Sequence, residues 1–84
     1  MHAPPPPALP YLIDEVQLLH VSKARDGLVA VLLAPDKTTH TTRPGDTLRD
    51  GEVVRITPKS IYFHQQLNDP TRLERYREVV KNLL

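Results

Sequence analysis

Residues 43–63 read RPGDTLRDGEVVRITPKSIYF, and the parsing of this stretch decides the fold. Pro44-Gly45-Asp46 carries turn chemistry, and Asp50-Gly51 carries it again a few residues later. Val53, Val54 and Ile56 then form a run rich in β-branched side chains, which pack well on a pleated surface. Pro58 punctuates that run, and Ile61, Tyr62 and Phe63 open a second one of the same kind. The stretch predicts two short strands after Gly51.

Working outward toward the N-terminus, Leu12 to Ala24 reads LIDEVQLLHVSKA. An extended reading puts Val16 and Leu18 on one face and Leu19 and Val21 on the other. Val16, His20, Val21 and Ser22 weaken a helical alternative. Arg25-Asp26-Gly27 reads as a turn in which glycine supplies positive φ at little cost. Leu28 to Ala34 is apolar on both faces and predicts the most buried strand. Asp36-Lys37 turns the chain after Pro35, and Thr38 to Thr42, TTHTT, suits a half-exposed strand. The pattern predicts a mainly β protein over residues 11–68, a small antiparallel β-sandwich of roughly five or six short strands.

The two ends differ from this centre. His2 to Pro10 holds five of the nine prolines and reads as a disordered, polyproline-type tether over residues 1–10. It would be a spacer or a recognition peptide for an aromatic groove. At the other end, Asp69 can cap a helix that Pro70 starts. Leu73, Tyr76, Val80 and Leu83 recur at three- and four-residue steps, widened by Val79 and Leu84, with Arg72, Glu74, Arg75, Arg77, Glu78 and Lys81 on the other faces. This spacing predicts an amphipathic C-terminal helix over residues 69–84.

With 84 residues the chain has room for one small domain, whose core must use most of its large apolar side chains. A net charge of +1 with both signs interspersed gives no basic face for nucleic acid. No apolar run approaches the roughly 18 residues of a membrane helix. Met1-His2 reads as an added start, so any targeting segment or membrane anchor is expected upstream. With no cysteine present, neither a disulfide nor a thiolate-held zinc is available.

The sequence carries no catalytic signature. His2, His20, His40 and His64 lack the close spacing of a metal site, although His40 and His64 could meet across neighbouring strands. Ser22 and Ser60 lack a nucleophile elbow. Asp46 and Asp50 flank a turn and read as turn formers. No phosphate loop or dinucleotide fingerprint is present, so no enzyme and no cofactor are expected. A small open sheet instead offers unpaired backbone groups at its edges, and strand addition is a common mode of recognition. The expected contact is the first strand, Glu15, Val16, Gln17, Leu18 and Leu19, with Arg25 at its turn. Glu15, Lys23 and Lys37 are the charges that could keep an edge harmless.

The order GLVAVLLAP, polar strand, RPGDTL, GEVVRITPKSIYF resembles the periplasmic homology-region domain of the type II secretion protein GspC and the type IV pilus lipoprotein PilP. Leu28 to Leu33 match the apolar second strand, Gly45-Asp46 and Leu48 the turn after the third, and Val53, Ile56 and Ile61 the closing rhythm. The likeness covers roughly Val16 to Phe63. It implies a compact sandwich tethered by its Pro-rich segment to the periplasmic face of the bacterial inner membrane. It also implies two kinds of partner, the N-terminal periplasmic domain of an outer-membrane secretin and other inner-membrane platform proteins. The final helix and the threonine-rich third strand depart from that pattern. PGDTL alone also resembles the opening of a peptidoglycan-binding LysM module, a reading that requires a helix directly after Leu48.

Overall fold

A computed structural model describes residues 9–67 and 76–84. A single 3-10 turn, Ile13–Glu15, precedes β1 (Gln17–Ala24), β2 (Gly27–Leu33) and β3 (Thr39–Thr42). Then come β4 (Thr47–Leu48), β5 (Gly51–Ile56), β6 (Ser60–Gln66) and β7 (Tyr76–Asn82). β1, β2 and β3 form one antiparallel sheet in that order. β4, β5, β6 and β7 form a second.

The turns follow their local chemistry. Gly27 (φ 139°) takes the positive φ expected of it, and Gly45 (φ 98°) takes one too, a region side chains oppose sterically. Lys37 is left-handed as well, with φ 72°. It closes the turn at Pro35-Asp36, where its N–H donates to the Ala34 carbonyl at 3.0 Å. Gly51 is needed for space rather than φ. A Cβ there would run into the His64 carbonyl oxygen and come within 2.8 Å of Ile13 Cδ1.

The core lies between the sheets. Leu18, Ala30 and Leu32 from the first meet Leu48, Val53, Ile56, Ile61 and Phe63 from the second, with Ile13 and Val16 closing one end. Burying such apolar surface is the main favourable term in folding. β2, central in its sheet, has Ala30 and Leu32 fully buried on its inner face, while Val31 and Leu33 on the other face are only half-buried, so its burial is more one-sided than its apolar pattern predicts. One face assignment changes. A register shift between Leu18 and His20 marks a bulge at Leu19. The extra residue returns Val21 to the core side and leaves Leu19 38% exposed, since a bulge resets the two-residue alternation.

The C-terminal helix is not observed. Tyr76–Asn82 is a strand paired with β6 along its whole length, from Gln66↔Tyr76 to Ser60↔Asn82. The proposed helical stripe is exposed at Tyr76, Val80 and Leu83, whereas Val79 packs against the core. Asp69, Pro70 and Leu73, and the proline tether before Leu9, lie outside the described residues. After Leu48 the chain makes a turn at Arg49-Asp50 and enters strand β5, where a LysM module would place a helix.

Candidate interaction edges

Each outermost strand of a sheet exposes backbone N–H and C=O groups on one side, so the site is found by asking which edges the chain covers itself. β4 is covered. The Leu9 N–H donates to the Thr47 carbonyl at 2.9 Å, and the Arg49 N–H to the Tyr11 carbonyl at 3.0 Å. The segment entering the domain therefore runs beside β4 and is pinned at Tyr11. The Tyr11 hydroxyl donates to Asp36 Oδ2 at 2.8 Å, and its ring lies 5.3 Å from that of His40.

Thr38 completes this cluster, which sequence reasoning missed. Its hydroxyl donates to Asp36 Oδ1 at 2.6 Å and lies 2.9 Å from His40 Nε2. A threonine has one hydroxyl hydrogen, and Asp36 claims it. His40 Nε2 must then carry a proton and donate to the Thr38 oxygen. Together these bonds tie the entering segment at Tyr11 to the turn at residues 35–38 and to β3. Hydrogen bonds from Thr38 and then Tyr11 favour the carboxylate and hold Asp36 below its ordinary value of 3.8. The signal available in sequence was the short spacing Asp36, Thr38, His40; its partner Tyr11 is far off in the chain.

β1 and β7 meet at one end. Leu18 and Leu83 form a parallel bridge, and the Leu84 N–H donates to the Leu18 carbonyl at 3.3 Å. Lys81 Nζ donates to the Val16 carbonyl. Burial, the larger influence, pulls the Lys81 ammonium below its ordinary 10.5, opposed by the charges of Asp14 and Asp50. A second polar chain stiffens the same corner. Asp50 accepts from the Ile13 N–H at 2.9 Å and from Gln65 Nε2 at 2.8 Å, while Arg77 Nε donates to Gln65 Oε1 at 2.8 Å.

These contacts redistribute the residues expected to bind a partner. The Glu15 carboxylate turns back to accept from the Leu12 N–H at 3.1 Å. Val16 and Leu18 are buried, and their carbonyls are engaged by Lys81 and Leu84. Gln17, Leu19 and Arg25 are exposed. Beyond Leu18, the stretch Leu19–Ala24 bonds no backbone other than β2 among the described residues. That stretch of edge is open, and Lys23 and Arg25 sit at its far end.

His40 and His64 lie on different sheets, against Tyr11 and Tyr76 respectively. Among the described residues no group of three or more acidic or histidine side chains forms a cation cage. Two surface hollows, about 260 Å³ beside Asp26 and Arg43 and about 180 Å³ beside Glu52, His64 and Tyr76, fall below the roughly 300–1,000 Å³ of small-molecule clefts. Strand edges are what the surface offers most plainly. No protein-family model matches this chain, and no characterised protein matches it in sequence.

Proposed function

We propose that this chain is a non-catalytic interaction module of a type II secretion or type IV pilus machine. It stands at the periplasmic face of the inner membrane and joins platform proteins there to the N-terminal domain of an outer-membrane secretin. The resemblance over Val16 to Phe63 is what supports the reading of a secretion or pilus machine. The observation that carries the mode of binding is the open β1 edge at Leu19–Ala24, between the C-terminal contact at Leu18 and the Arg25-Asp26 turn. A partner strand added there gains backbone hydrogen bonds to β1, and its alternate side chains meet Leu19, His20 and Ser22.

An interface of this size belongs with weak, transient contacts. Titrating the isotope-labelled domain with a secretin N-terminal domain tests the reading. Amide shifts should move along Leu19–Arg25 and leave Glu52–Ile56 still. Unchanged spectra at high micromolar partner would reject it. Replacing Val21 by Pro, which removes one backbone donor at the edge, is a control for pairing through the backbone.

A further inference from the structure

Edge pairing alone leaves the end of β7 without a role. Leu83 and Leu84 contribute little to the core, being 38% and 78% exposed, yet they lie along the same side of β1 that a guest strand would use. The Leu83 N–H donates to the Lys59 carbonyl at 2.9 Å, and the Leu84 N–H reaches the Leu18 carbonyl at 3.3 Å, long for an amide hydrogen bond. Lys81 clamps Val16 one turn of the ladder earlier. Of the two terminal amides, Leu83 is held at ordinary length and Leu84 lightly.

We propose that Leu83–Leu84 is a latch over the beginning of the β1 edge. With the latch closed, a guest strand can pair only along Leu19–Ala24. Release exposes the Leu18 carbonyl and lengthens the ladder toward Gln17. Leu18↔Leu83 is a parallel bridge, so β1 and the end of β7 run in the same direction where the latch sits. A guest that extends its ladder to Leu18 competes with the latch for one acceptor, the Leu18 carbonyl. This inference rests on the edge-pairing reading above and adds regulation to it.

The experiment compares the parent with Leu84→Pro, which removes the donor to Leu18 while leaving the chain length unchanged. A secretin N-terminal domain is the probe, and amide hydrogen exchange runs in parallel. Leu84→Pro should bind about 3–10-fold tighter, the worth of one recovered hydrogen bond. In the free parent the Leu84 amide should exchange far faster than that of Phe63, and its remaining protection should vanish in the complex. If Leu84→Pro fails to fold, Lys81→Met loosens the same corner and takes its place. Parent and variant binding equally, or the variant more weakly, overturns the latch and leaves edge pairing standing. Leu84 exchanging as slowly as Phe63 in the free protein also overturns it. Binding by neither protein brings down edge pairing, and the latch with it.

Discussion

At the residue scale, two positions hold more structure than their side chains suggest. Gly51 has no room for a methyl group, because the His64 carbonyl already fills that space. Gly51→Ala should therefore cost about 1–3 kcal/mol as an overpacking change, read by urea denaturation. Asp50 needs both carboxylate oxygens as acceptors, one for Ile13 N–H and one for Gln65 Nε2. Asp50→Asn offers only one oxygen, and turning the Gln65 amide to suit would point its NH2 at Arg77 Nε. The substitution should cost about 1–3 kcal/mol, the cost of a donor left unpaired. Asp36 makes a pH-dependent prediction. Its folded carboxyl titrates below the ordinary 3.8, so its contribution is present above that value and lost as pH falls through the lower, folded one. Thermal melts of the parent and Asp36→Asn should differ at neutral pH and converge in acid. A gap that persists unchanged to the lowest pH would refute the Tyr11 staple.

At the element scale, β7 shows how tertiary pairing overrides a local pattern. Tyr76, Val80 and Leu83 sit at helical spacing, but so short a segment also alternates. Arg77, Val79 and Lys81 lie on the inner side, while Tyr76, Glu78 and Val80 lie on the outer, with charges on both. What decides is β6, whose Ile61 and Phe63 stand opposite Lys81 and Val79 and whose backbone groups would otherwise lack partners on that side. A helix of this length is marginal without packing, and a ladder of seven residue pairs supplies it. Adjacent valines make the difference measurable. Val79→Ala should cost about 1 kcal/mol or more because Val79 packs on the core. Val80→Ala, 43% exposed on the outer face, should cost about half a kcal/mol or less. Equal losses at both positions would argue against the strand.

At the scale of the whole molecule, one core serves both sheets, and Phe63 stands at its centre with no exposed surface. Neither sheet can keep its inner face dry alone, so unfolding should be a single transition in which Tyr fluorescence and circular dichroism coincide. Phe63→Ala should cost about 3–5 kcal/mol, a large share of the stability of so small a domain. Separate transitions by the two probes would contradict the shared core. The β architecture was legible in the sequence because turn chemistry and β-branched runs are local. Gly27, Gly45 and Pro35-Asp36 fix where the chain reverses, and the runs between them favour extension whatever lies opposite. By itself the sequence determined β1, β2, β3, β5 and β6 and the turns at Arg25-Asp26-Gly27, Pro35-Asp36-Lys37 and Pro44-Gly45-Asp46, but not the short strand β4. Tertiary structure alone decided that Tyr76–Asn82 is a strand, that a bulge at Leu19 turns Val21 inward, and that among the described residues the β1 edge is open only beyond Leu18. Those outcomes depend on which backbone groups lie opposite one another across long sequence separations, and no local pattern records that.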